Sequence, residues 1–133
     1  MARVTRTVIV RSARLPREAY ATLLELQAMY RDMLESLVPY AVENDIKSFT
    51  ALKAAKYEEL RSMHTELPSH YAYTACQDAA ARSKSFLRMR RRGRARGAYP
   101  EVRRISIWLD DHLWRPDGLT AIRISTHRGW IRV

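Results

Sequence analysis

Between Arg82 and Arg104, ten Lys/Arg side chains stand against a single acid, Glu101. They are Arg82, Lys84, Arg88, Arg90, Arg91, Arg92, Arg94, Arg96, Arg103 and Arg104. Ten bases less one acid leave +9 here, out of +10 for the whole chain. The chemistry that suits this density is phosphate binding. Each cation that neutralises a phosphate releases a condensed counterion, and that entropy drives association. Like charges this close repel one another in the free chain, and a polyanion relieves the repulsion. The plainer reading is a solvated face with no partner.

Other residue types offer less chemistry. His64, His70, His112 and His127 show no metal-ligand spacing, and there is neither a CxxC nor an HExxH. Asp110-Asp111-His112 reads as turn residues. Cys76, among alanines, reads as a small core residue. No catalytic residue, metal or cofactor is expected, nor a small-molecule substrate. Among the aromatics near the basic run, Phe86 fits a core position. Tyr73 lies off the apolar stripe and is the better candidate for ligand contact. Trp108, Trp114 and Trp130 fit core or sheet-face positions.

The elements that must carry the arginines follow from periodicity. Residues 4–11 alternate Val/Ile with Arg/Thr and read as a strand. Leu15-Pro16 breaks it. From Glu18 to Val38 apolar residues recur at helical spacing, with Gln27 a lapse, and Pro39 is expected to end the helix. Phe49, Leu52, Ala55, Tyr57, Leu60 and Met63 form a second helix with Ser48 as N-cap. Pro68-Ser69 opens a third. It has a face of small residues and a basic C-terminal half that suits the helix dipole, and Gly93 and Gly97 stop it. Residues 103–109 alternate as a strand, residues 113–115 as a short returning one. Pro116-Asp117-Gly118 is a turn, residues 119–125 a strand, Arg128-Gly129 a turn, and residues 130–133 the start of a further strand.

The expected fold class is therefore α+β: a small antiparallel sheet or partial barrel with about three inserted helices. Residues 1–15 and 101–133 would form the β part, with the first strand pairing with the C-terminal ones. Residues 16–100 would form the helical lobe.

The 133 residues are about one domain's worth. At 47% hydrophobic and 29% charged, the chain can bury a core and stay soluble. No apolar run reaches the roughly 18–20 residues of a membrane span. A single cysteine excludes an intrachain disulfide and fits a reducing compartment, the cytoplasm. A pI near 10.4 points to an acidic partner, nucleic acid before a membrane surface.

Specific residues also resemble a family. Leu67-Pro68-Ser69, Lys84-Ser85-Phe86, and Arg96-Gly97-Ala98-Tyr99-Pro100-Glu101-Val102-Arg103-Arg104 are similar to the N-terminal part of the insertion-sequence-encoded OrfB/TnpB proteins. Ala98 is an insertion into that family's glycine–aromatic–proline pattern. The opening Arg6-Thr7-Val8-Ile9-Val10-Arg11 and the closing Arg128-Gly129-Trp130-Ile131-Arg132-Val133 resemble that family's first strand and a later one. The resemblance implies a wedge-like barrel with a helical recognition lobe from an RNA-guided DNA endonuclease. It would place Ser69, His70, Tyr73 and Gln77 against target-adjacent duplex DNA. The family's nuclease carboxylates and zinc ribbon have no counterparts here, so the chain is expected to be non-catalytic: a truncated member, a remnant or a fragment. Two other readings stay open, a standalone nucleic-acid-binding regulator and a protein-interaction module with a solubilising basic face.

Overall fold

The computed structural model describes residues 4–133. Three helices come first: α1 (Arg17–Glu43), α2 (Phe49–Met63) and α3 (His70–Arg91). Three strands follow: β1 (Trp114–Asp117), β2 (Ala121–Thr126) and β3 (Gly129–Arg132). They pair antiparallel in the order β1-β2-β3, an open meander. The class is α+β, a small domain of three helices and one antiparallel sheet.

Leu26, Tyr30, Met33, Leu34 and Leu37 form the buried stripe of α1, at the three- and four-residue spacing of one helix face. Ala72, Ala75, Cys76 and Ala79 on α3 share their core, and small side chains there let the two helices approach. Burial leaves Cys76 a neutral core thiol, its pKa pushed up to about 11. Tyr30 is fully buried and would leave a hydroxyl stranded, but it donates to Asp78 Oδ2 at 2.9 Å. Burial and the Asp78 charge together hold that phenol protonated far above its usual range. Helix α2 starts as its sequence predicts, with Ser48 Oγ accepting from the Ala51 amide at 3.2 Å.

Several expectations need correction. Helix α1 does not stop at Pro39 but runs through it to Glu43. Val38, Ala41 and Val42, on either side of the proline, are all buried, and their packing offsets the one backbone hydrogen bond that proline cannot donate. Residues 4–11 are not a strand and do not join the sheet. Val4, Val8, Ile9 and Val10 are 78–88% exposed, so their alternation finds neither a pairing edge nor a core face. Residues 103–109 are extended without being a paired strand. Their alternation is real in burial, since Ile105, Ile107 and Leu109 pack on the core. Helix side chains meet part of their backbone instead: Gln27 Nε2 donates to the Ile105 carbonyl at 3.4 Å and Arg31 Nη2 to that of Arg103 at 3.3 Å. The polar lapse at Gln27 is thus a tether.

The sheet is fastened to the helices at several points. Leu113 sits in the helical core, and Tyr71 Oη donates to the Ser125 carbonyl at 2.5 Å. Glu25 on α1 accepts from Arg128 Nη2 at 3.0 Å and meets His127 Nε2 at 2.7 Å, and the His127 hydrogen bond lowers its pKa. Pro116 and Asp117, expected in a turn, lie instead within β1, an edge strand where a missing amide is tolerated, and the turn begins at Gly118. No helix among the described residues is long and apolar enough to cross a membrane.

Candidate nucleic-acid interface

The basic run begins on a helix anchored by its first half. Residues 71–80 of α3 are nearly all buried, whereas Lys84, Arg88, Arg90 and Arg91 are exposed. Lys84, Arg88 and Arg91 lie at four- and three-residue spacing on one outward face. The helix ends in a Schellman arrangement: the Arg94 amide donates to the Met89 carbonyl at 2.9 Å and the Gly93 amide to that of Arg90 at 3.0 Å. Gly93 takes the left-handed conformation this turn demands, with φ +69°. Beyond it, Ala95 packs against Val42, Phe86 and Leu87, a small second core that holds the loop against the end of α1. Tyr99 Oη donates to the Glu43 carboxylate, a further tie to α1.

The ten cations separate into two kinds. Arg82 is committed inward: its Nε donates to Asp78 Oδ1 at 2.9 Å and its Nη2 to the Arg104 carbonyl at 3.1 Å. Arg103 is paired with Glu101, which lowers the carboxylate's pKa and raises that of the guanidinium. The other eight are Lys84, Arg88, Arg90, Arg91, Arg92, Arg94, Arg96 and Arg104. All are exposed, and within the described residues they join no ion pair. Arg90 does lie over the Phe86 ring at 5.9 Å, and Phe86 itself is core.

The other four expected site residues lie at or near the opposite end of α3. Ser69 precedes the helix and is half-buried, and Gln77 is exposed. Tyr73 is enclosed by Tyr57 at 5.3 Å and Phe49 at 6.3 Å between ring centroids, with Lys53 Nζ 4.2 Å above its ring. His70 Nδ1 meets Asp110 Oδ2 at 2.8 Å, and its ring stacks on that of His112 at 3.9 Å. Forty positions separate His70 from Asp110, so no local spacing announces this cluster.

One cationic surface escaped the sequence reading. Strand register puts Arg115, Arg123 and Arg132 side by side on one sheet face. Arg115 also lies over the Trp130 ring at 5.3 Å. The three arginines stand eight and nine positions apart in sequence, and only the strand register brings them into one row. Here, however, Asp117 pairs with Arg123 at 3.3 Å and with Arg132 at 3.1 Å.

Residues 26–125 match the model of a family described as "Uncharacterized protein MJ0013 family". The chain belongs to the MJ0013 family. It is similar to "Uncharacterized protein MJ0857" of Methanocaldococcus jannaschii, 34% identical over 111 residues, which are 84% of this chain and 40% of that protein. The chain therefore spans about 40% of the length of that curated relative. No solved structure matches it.

Membership of the MJ0013 family overturns the resemblance to the OrfB/TnpB proteins, because the matched region, residues 26–125, includes the three central motifs that carried it. Those motifs have local explanations. Lys84-Ser85-Phe86 is two exposed residues beside a core one, ordinary for an amphipathic helix. Gly97, with φ +74°, and Pro100 are loop chemistry at a helix exit. The duplex-facing role of Ser69, His70, Tyr73 and Gln77 came from that resemblance and goes no further.

Proposed function

We propose that the chain is a nucleic-acid-binding module, non-catalytic by itself, that grips phosphates with the basic end of α3 and the loop after it. One observation carries this reading. Arg88, Arg90, Arg91, Arg92, Arg94 and Arg96 are exposed, without acid partners among the described residues, and grouped on a capped helix end and a loop pinned by Ala95. Anchored arginines lose less entropy on meeting phosphate than arginines on a mobile tail. Arg104 and Lys84 extend the surface on either side. The proposed setting is the cytoplasm.

The test is anisotropy of labelled duplex DNA, duplex RNA and single strands, titrated with the full chain across a salt series. Six phosphate contacts on duplex DNA predict a slope of log K against log salt of about −5, roughly a thousandfold loss between 50 and 200 mM. An affinity that stays level across that range would remove the phosphate reading. The four probes together decide which nucleic acid is preferred.

A protein-interaction role has one observation in its favour: Trp108, Trp114 and Trp130 are 38–45% exposed. Binding to a protein partner that ignores both salt and competing nucleic acid would favour it.

A further inference from the structure

We propose that His70, Asp110 and His112 form a binding site for a divalent transition-metal ion of the zinc class. The proposal is independent of the nucleic-acid reading and uses no residue of the basic run. His70 is the first residue of α3, while Asp110 and His112 flank the turn that leads into β1. The fold brings them together so that one ligand atom from each lies within 4.8 Å of the others. His70 Nδ1 is 2.8 Å from Asp110 Oδ2, and His112 Nδ1 is 3.8 Å from Asp110 Oδ1. Around tetrahedral zinc, with ligands at about 2.0–2.1 Å, neighbouring ligand atoms stand roughly 3.3 Å apart. These two distances end on different oxygens of Asp110, and stacked rings cannot both hold one ion in plane, so closing the site requires the exposed His112 ring to rotate off His70 and bring its Nδ1 onto the ion.

A simple hydrogen bond accounts for His70 and Asp110 but not for His112. The two imidazoles stack with centroids 3.9 Å apart and planes 13° from parallel, and each turns its Nδ1 toward the same carboxylate. Two protonated rings in that position would repel, and one cation shared among the three groups would not. The carboxylate is already oriented, since Asp110 Oδ1 accepts the His112 amide at 2.9 Å. The Tyr73 ring, 5.0 Å from that of His70, supports the imidazole from the α2 side. Two imidazole nitrogens with one carboxylate oxygen suit zinc and its neighbours better than magnesium or calcium, which want more oxygens. The His112 side chain is 64% exposed, so a fourth position is open to water. Metal binding through His70 Nδ1 would replace its hydrogen bond to Asp110, and the proton held there would leave to solvent. The bound ion would link the first turn of α3 to the approach to the sheet.

The full chain, stripped of metal with a chelator, should be titrated with zinc and, separately, with cobalt. The expected result is one ion per chain, a cobalt visible spectrum typical of four- or five-coordination, and shifts of the His70 and His112 ring resonances. His112→Ala is the informative variant, because its side chain is exposed and circular dichroism can show that the fold persists. It should weaken zinc binding at least about tenfold, a loss that even outer-shell changes cause. His64→Ala should leave binding unchanged. No stoichiometric binding in the wild type, or full affinity in a folded His112→Ala, would overturn the site.

Discussion

Two regions of this molecule carry clustered arginines, and they differ in the company those arginines keep. From Arg88 to Arg96 there are six arginines and no acid, on a helix end and a capped loop. On the sheet, Arg115, Arg123 and Arg132 are also exposed, but Asp117 sits among them and takes two as partners. Exposure alone does not separate the two regions. What separates them is that a helix terminus running into a loop can present cations continuously. A strand pairing can set an acid beside the cations of its neighbours. The same contrast runs inside the basic run, where Arg82 and Arg103 behave like the sheet arginines and the other eight cations do not. A count of positive charges overstates the free ones wherever the fold supplies partners.

The largest expected effect tests this contrast directly. Arg90, Arg91 and Arg92 changed together to Glu should reduce nucleic-acid affinity by about a hundredfold or more at moderate salt. The corresponding Gln variant should flatten the salt slope by about three, one unit for each lost phosphate contact. Thermal stability should stay about level in the Gln variant, where relief of like-charge repulsion offsets the lost dipole interaction, and fall slightly in the Glu variant, which sets anions at the negative end of the helix. The triple change of Arg115, Arg123 and Arg132 to Gln serves as the comparison. If it costs as much affinity as the helix-end change, the two regions are not different in kind.

The next effect concerns Arg82, which belongs to the run in sequence but to the interior in structure. Asp78 is 2% exposed and accepts from both Tyr30 Oη and Arg82 Nε at 2.9 Å. Asp78→Ala leaves the Tyr30 hydroxyl only a long contact with the Thr74 carbonyl at 3.4 Å, and Arg82 only the Arg104 carbonyl at 3.1 Å. A loss of about 2–3 kcal/mol in chemical denaturation is expected. Where the chain remains folded, nucleic-acid affinity should hold or rise slightly, because Arg82 loses its acid partner. A variant that is fully stable would show that the Asp78 contacts to Tyr30 and Arg82 contribute little to the fold.

Much of this organisation was legible in the sequence, and the limits have physical causes. Ser48 with the spacing from Phe49 to Met63 located α2 because capping and amphipathic period agree there. Gly93 marked the end of α3 because a left-handed turn residue has few substitutes. Pro39 misled because a local rule met a tertiary one, and the buried Val38, Ala41 and Val42 prevailed. Residues 4–11 and 103–109 share an alternating pattern, which reports two-sidedness and not pairing: one segment lies exposed, and the other packs on the helices through its carbonyls and apolar side chains. The exposed arginines of the basic run could be read from density alone. Which of them were already engaged could not, because Asp78 pairs with Arg82 only once the helix forms. The cluster of His70, Asp110 and His112 needed the whole fold, and short motifs of Gly, Tyr, Pro and Arg misdirected the family reading because helix exits use those residues generally.

The smallest effect would sharpen the contrast most finely. Asp117 is 28% exposed and holds Arg123 and Arg132, whose side chains are 58% and 66% exposed. Exposed ion pairs of this kind contribute only about 0–1 kcal/mol, so Asp117→Asn should barely move the melting temperature. Its effect on binding depends on where the nucleic acid lies. If the polyanion is confined to the helix end and keeps more than a Debye length, roughly 10 Å at 0.1 M salt, from Asp117, the substitution is silent there. A steeper salt slope, by up to about two for the two released guanidinium groups, would show that the sheet face is engaged as well. Asn keeps the size of Asp and removes only its charge, so the salt slope isolates the electrostatic contribution. A silent Asp117→Asn beside a damaging helix-end variant would make freedom from an acid partner insufficient by itself for an arginine to bind. Position on the α3 exit would then be the deciding property.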